Sequence, residues 1–231
     1  MARHISFEKI ENFRDLGGYE TSYGETSFSI LYRSGSLAFC SENDVKKIQN
    51  LGIRSILDLR NKEDVADKPD YFVEQLNIKY INIEVNGKGR IAKDERDMID
   101  SYLEMLEDKV NAHSIFKTIL DSPKPMIIHC SAGKDRTGCI VMVILMANGV
   151  PFEQINADYY LSLPCLNGLA KITMEKYPDF PKEVLYPNTF FLEKVRDLFL
   201  KRYNSVDNYL ATIGFDKKEI NSFSKLLDKR C

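Results

Sequence analysis

The stretch that most constrains the fold runs from residue 125 to 147. It opens with a short apolar run, Pro125-Met-Ile-Ile-His129, passes through Cys130-Ser-Ala-Gly-Lys-Asp-Arg-Thr-Gly138, and ends in Cys139-Ile-Val-Met-Val-Ile-Leu-Met-Ala147. A helix that is apolar around its whole circumference has no face to offer water, so it belongs at the centre of a fold. The order is therefore strand, tight loop, buried helix. Residues 53–59 (IRSILDL) and 78–85 (IKYINIEV) read as further buried strands, and 28–33 as another, after a hairpin turning at Tyr23-Gly24.

Helical patterns alternate with these strands. Ser41 and Asp44 have capping-box spacing ahead of Val45, Ile48 and Leu51, and Gly52 ends that run. Between 94 and 121, Ile99, Leu103, Leu106, Val110, Phe116 and Leu120 recur at helical intervals, as one long helix or two abutting ones. After Pro151 the pattern is wholly helical: a segment near 152–162, a Pro-interrupted stretch over 164–187, and a helix with Phe191, Val195 and Leu198 on one face. A short helix from Ser205 to Gly214 follows, and a last one opens at Asp216 with Glu219. The expected architecture is α/β: a central, mostly parallel sheet flanked by helices, with a helical C-terminal third (151–231), all in one domain, 1–231.

Composition sets outer limits. The longest apolar run is about half the ~18 residues a membrane-spanning helix needs, so no integral membrane association is expected. No apolar stretch follows the charged N-terminus, as a secretory signal would require, although a signal peptide already removed would leave a secreted protein looking the same. With 32 basic and 34 acidic side chains, net −2, the whole molecule has no electrostatic reason to seek nucleic acid, and any anion preference must be local. The five cysteines, at 40, 130, 139, 165 and 231, fit neither a disulfide framework nor a zinc site built on C-x2-C pairs. A reducing compartment, the cytoplasm, is the simpler reading. His4 and His113 lack metal-ligand spacing, and no metal or cofactor is expected.

The loop over 130–136 places a thiol and a guanidinium at the ends of a short turn that leads into a helix N-terminus. Amides of such a turn can converge on the oxygens of a phosphate while the helix dipole favours negative charge, and Gly133 permits the backbone conformation that a cradle needs. An ordinary thiol is mostly protonated at neutral pH; the same amides, the helix end and Arg136 favour the thiolate. The planar fork of Arg136 can hold two phosphoryl oxygens at once. Thr137 is placed to donate a hydrogen bond to the sulfur.

These residues carry a resemblance. His129-Cys130-Ser-Ala-Gly-Lys-Asp-Arg-Thr-Gly138 is similar to the signature loop of the cysteine-based protein tyrosine phosphatase superfamily. With Lys134-Asp135 inside the loop and Asn12-Phe-Arg-Asp-Leu-Gly-Gly18 upstream, the chain resembles the bacterial atypical tyrosine/serine phosphatases that also act on phosphoinositides. Asp58-Leu-Arg60 and Asn204-Ser-Val-Asp-Asn-Tyr-Leu210 match the family pattern more loosely.

The resemblance implies a tyrosine-phosphatase-like fold, with Cys130 as nucleophile and the loop residues Ser131, Ala132, Gly133, Lys134 and Thr137, with Arg136, as the phosphate site. The partners it implies are a phosphorylated protein or phosphoinositide, with phosphate or another oxyanion in the loop. Well-known relatives take their general acid from a Trp-Pro-Asp loop, and this chain has no tryptophan. Asp135, beside the cup, is the candidate acid, ahead of Asp67, Asp70, Asp94 and Asp97. Lys134 resembles a residue suited to a polyanionic headgroup. Arg60 is either a substrate contact or a structural pair, Asn12, Arg14 and Asp15 are expected to brace the loop, and His129 to stabilise it. Residues 86–93, basic and glycine-containing, read as a mobile loop able to act as a lid. Two other readings stay open: a non-catalytic phosphate-binding module, and a sulfur-transfer enzyme.

Overall fold

In the computed structural model, residues 3–85, 92–186 and 190–228 are described. The strands are β1 (Arg14–Asp15), β2 (Glu20–Thr21), β3 (Gly24–Glu25), β4 (Leu31–Ser34), β5 (Ser55–Asp58), β6 (Lys79–Asn82) and β7 (Met126–His129). The helices are α1 (Glu42–Asn50), α2 (Lys62–Asp67), α3 (Glu95–Glu107), α4 (Lys109–Asp121), α5 (Asp135–Ala147), α6 (Phe152–Tyr160), α7 (Ser162–Cys165), α8 (Asn167–Lys176), α9 (Lys182–Leu185), α10 (Phe191–Tyr203), α11 (Val206–Thr212) and α12 (Lys217–Phe223).

The main sheet has the order β1-β4-β7-β5-β6, parallel throughout except for β1, which pairs antiparallel with β4 at the edge. This is the expected mostly parallel sheet. Side chains alternate between its faces, as the pleat requires. Tyr32, Ile56 and Ile127 enter a smaller core with Phe13, Ile48 and Phe72. Leu31, Leu57, Met126 and Ile128 join the larger core, which holds α5 and the C-terminal helices. Helix α5 is buried without a break from Thr137 to Leu145, which is why its sequence shows no polar face. Truncating one of these side chains, Ile144→Ala for instance, would cost ~2–5 kcal/mol.

The register sets Ser34, His129 and Asp58 level at the C-terminal ends of the three central strands. The crevice beyond the carboxyl ends is where an open α/β sheet holds its ligand. The loop that follows His129 rises from the middle of it.

Helix starts were legible from caps. Ser41 and Asp216 both form full capping boxes, and Ser205 accepts from the Asn208 amide. Residues 94–121 form two helices, because Asp108 ends α3 and caps α4. That break resets the helical phase and leaves Val110, expected on the apolar face, 80% exposed. In α10 the buried stripe is Phe191, Val195 and Phe199, while Leu198 is 42% exposed. The strand expected over 28–33 starts only at Leu31, since Ser29 has a φ of +62° that no strand accepts. Of the expected lid, 86–91 lies outside the described residues.

Candidate active site

The 130–136 loop forms a cup. At its base the Sγ of Cys130, on a residue 2% exposed, accepts from the Gly133 amide at 3.2 Å. Gly133 has a φ of +67°, and a Cβ on it would collide with the Ser34 carbonyl and the Gly35 amide, so only glycine fits this turn. Among the described residues no side chain caps the N-terminus of α5, which leaves its first amides available to an anion. At the rim the Arg136 guanidinium donates to Ser131 Oγ at 2.9 Å and to the Leu59 carbonyl at 3.3 Å. Ser131 Oγ also lies 3.5 Å from Asp64 on α2, an acid that sequence reasoning passed over.

Asp135 opens α5 beside the cup. Its Oδ1 accepts from the Tyr102 hydroxyl at 2.7 Å and from the Lys134 ammonium at 2.8 Å. The other candidate acids are occupied elsewhere. Asp70 pairs with Arg60 at 2.9 Å, Asp94 caps α3, Asp97 accepts from the Lys93 amide, and Asp67 lies 3.5 Å from Lys68.

Behind the cup, Asp158 on α6 accepts from Arg14 Nε at 2.6 Å, Arg33 Nη1 at 2.5 Å and the Tyr19 hydroxyl at 2.7 Å. Arg33 then donates to the Gly133 carbonyl at 2.6 Å. Asn12 Nδ2 donates to the Ala132 carbonyl at 3.0 Å, and Arg14 donates to both the carbonyl and the side-chain oxygen of Asn12. With loop carbonyls drawn outward, the loop's amides are left to face inward. One carboxylate between two guanidiniums also leaves a net positive charge near the phosphate position.

A sequence profile described as the tyrosine phosphatase family matches residues 5–228. The chain belongs to this family. It is 29% identical to a Cupriavidus necator protein assigned as a tyrosine-protein phosphatase, over 68% of this chain and 62% of that protein. A tyrosine-protein phosphatase of Nostoc commune is 27% identical over 62% of this chain, which spans 52% of its length. The triple specificity protein phosphatase PtpB of Mycobacterium tuberculosis is 23% identical over 94% of this chain and 96% of its own. The crystal structure of the core catalytic domain of a PP-IP phosphatase from S. cerevisiae, in complex with citrate, matches with a TM-score of 0.42 and 19% identity, over 89% of this chain and 98% of that one.

Within this tyrosine phosphatase family member the structure brings Cys130, the Gly133 amide, Asp135 and Arg136 together, decides between the two readings of Arg60, and departs from two other expectations, at Lys134 and Thr137. Arg60 is 2% exposed and spends its donors on Asp58, Asp70, Ser36 Oγ and the Lys68 carbonyl; it is a structural ion pair, with none of its five N–H groups left for substrate. Lys134 does not present its charge at the rim: the side chain is 6% exposed and its ammonium is held by Asp135 and the Val184 carbonyl. Thr137 Oγ1 is buried with no hydrogen-bond partner among the described residues, and the expected bond to sulfur is not made. Asp15 accepts from the Gly17 and Ser29 amides, while Asn12, held by Arg14, donates to the loop.

His129 lies beneath the cup, with Nε2 3.2 Å from Asp70 and 3.7 Å from Asp58. These three residues could gather around a cation. The Arg60 guanidinium, bonded to both carboxylates, already supplies that charge. Asp158 and Arg33, which hold the loop from behind, were the residues sequence reasoning missed. Their partners are 100 residues or more away in the chain, and no local signal pairs them.

Proposed function

We propose that this protein hydrolyses phosphomonoesters through a phosphocysteine on Cys130, as one phosphatase domain. One observation carries the reading: the Cys130 sulfur sits under an inward-facing amide, at an uncapped helix N-terminus, with the Arg136 fork at the rim. The Cys130 thiolate attacks phosphorus, forming an S–P bond as the ester P–O bond breaks, and Asp135 gives its proton to the departing oxygen. The Asp135 carboxylate then takes a proton from water, whose oxygen attacks phosphorus; the S–P bond breaks, and inorganic phosphate and the thiolate are released. Arg136 and the amides of 131–136 bind the phosphoryl oxygens in both steps, where preorganised donors lower the barrier without reorganising.

Phosphotyrosine is the leading substrate, with phosphoserine, phosphothreonine and phosphoinositides as further candidates; a relative named for triple specificity supports that breadth. The headgroup reading draws less support from Lys134, whose charge is turned inward. A cytoplasmic setting suits the chemistry, since the described cysteines are free thiols and the reaction needs Cys130 reduced. Among the described residues no helix is long and apolar enough to cross a membrane.

The test is phosphate release at mildly acid pH, with chelator, from phosphotyrosine peptide, phosphoserine peptide and short-chain phosphoinositides, with Cys130→Ser as control. Release that depends on Cys130 supports the reading and ranks the substrates. Bound vanadate with no release from any of them would favour a phosphate-binding module.

A further inference from the structure

The hydroxyl of Tyr102, one helix away from the cup on α3, is 2.7 Å from Asp135 Oδ1 and 3.1 Å from the Tyr159 hydroxyl. Burial, then the nearby Asp135 and Tyr159, push the Tyr102 phenol well above its ordinary range, so the phenol stays protonated and is the donor to the carboxylate. The Lys134 ammonium, 2.8 Å away, donates to the same oxygen and is itself tethered to the Val184 carbonyl. A carboxylate oxygen has two lone pairs, and both of those on Oδ1 are taken. Oδ2 has no hydrogen-bond partner among the described residues, on a side chain 39% exposed.

We propose that Tyr102 is a positioning residue for the general acid: its hydroxyl and the Lys134 ammonium occupy Asp135 Oδ1, which leaves Oδ2 as the oxygen that carries the proton to the leaving group. This rests on the phosphatase reading above. The geometry gives the inward lysine a use and accounts for a buried tyrosine aimed at the start of α5. Tyr102 is also locked in place: it is 2% exposed, and its ring meets Phe191 edge-on at 5.1 Å, so the hydroxyl has little freedom to leave the carboxylate.

A positioning role for an acid has a signature that loss of packing lacks. Proton donation matters most when the leaving oxygen is a poor leaving group and hardly at all when it is a good one. The experiment is kcat/KM for Tyr102→Phe, Asp135→Asn and the parent protein across aryl phosphates of graded leaving-group acidity, ending with a phosphoserine peptide. Phenylalanine keeps the ring, and circular dichroism and Tm check the fold. We expect Tyr102→Phe to lose about tenfold on the poorest leaving group, as for one hydrogen bond to a charged group, and less than about twofold on p-nitrophenyl phosphate. The slope against leaving-group acidity should lie between those of the parent and Asp135→Asn.

An equal loss across the series, or a slope matching the parent, would overturn the proposal. An Asp135→Asn slope matching the parent would remove the acid and this proposal with it, whereas Cys130-dependent phosphate release would still uphold the phosphatase reading. A steep slope for Asp64→Asn instead would move the acid to α2 and likewise overturn it.

Discussion

The Arg33 guanidinium, projecting from β4, donates to the Gly133 carbonyl at 2.6 Å and so fixes the glycine turn of the phosphate cup to the central sheet. Lysine at this position has the charge but not the fork, and cannot hold Asp158 and the loop carbonyl together. Arg33→Lys should lower kcat/KM by about tenfold or more, the worth of a charge-assisted hydrogen bond, and weaken vanadate binding in parallel. Steady-state kinetics with vanadate titration checks this, and unchanged vanadate affinity would count against the brace.

Asp158 is the hub of the same network. Asp158→Asn leaves two buried guanidiniums sharing a neutral partner, and should cost ~3–5 kcal/mol in urea unfolding. Burial alone would raise this carboxyl, but Arg14 and Arg33, with their hydrogen bonds, hold it well below the ordinary carboxylate range. A folded-state value below the unfolded one means the unfolded chain binds the proton first as pH falls. The stabilisation is therefore fully present above about pH 4, near the ordinary aspartate value, and is lost progressively below it. In Asp158→Asn that segment of the acid limb should be missing; urea midpoints between pH 5 and pH 2 would show it.

The strand-loop-helix unit was legible because each level of the sequence pointed the same way: apolar strand, glycine where the turn needs positive φ, and a helix too apolar to lie anywhere but the centre. The caps at Ser41, Ser205 and Asp216 were legible for the same reason, since each is a local hydrogen-bond pattern. Charge pairings without a local pattern were not, whether the partner is near in the chain or far along it. Arg60 could be read as a substrate contact because nothing in Asp58-Leu-Arg60 shows that Asp70 and the Lys68 carbonyl will close around it. Lys134 could be read as facing a headgroup because Val184, which turns it inward, is 50 residues away. Val110 was misassigned because a single capping aspartate, Asp108, restarted the helical phase.

Gly133→Ala tests the cup without touching a charged group. With φ at +67° and the Ser34 carbonyl in the way, alanine must move the turn, which withdraws the Gly133 amide from the Cys130 sulfur. The fold should survive by circular dichroism while vanadate binding and turnover fall by about a hundredfold or more, the scale seen when one oxyanion donor is removed. Retained vanadate affinity would mean that the amide does not contribute.

Thiol reactivity should separate Cys130 from its neighbours. Burial first, then Asp44 and Asp70, push the Cys40 thiol up to about 12, and burial followed by Asp135 raises Cys139 well above the ordinary thiol range. Both should stay unmodified by brief, stoichiometric iodoacetate at neutral pH, since only the thiolate reacts. Peptide mapping should find the label on Cys130 and lose it when vanadate fills the cup. Label on Cys40 or Cys139 in the folded protein would contradict the burial argument.

The most direct test of the central claim is to catch the phosphoryl group on sulfur. A rapid acid quench of the parent protein during turnover of a phosphotyrosine peptide, followed by intact-mass and peptide analysis, should show one added phosphoryl group on the peptide containing Cys130, and none in Cys130→Ser. Full turnover with no covalent phosphoryl adduct at any quench time, or turnover that persists in Cys130→Ser, would contradict a phosphocysteine mechanism.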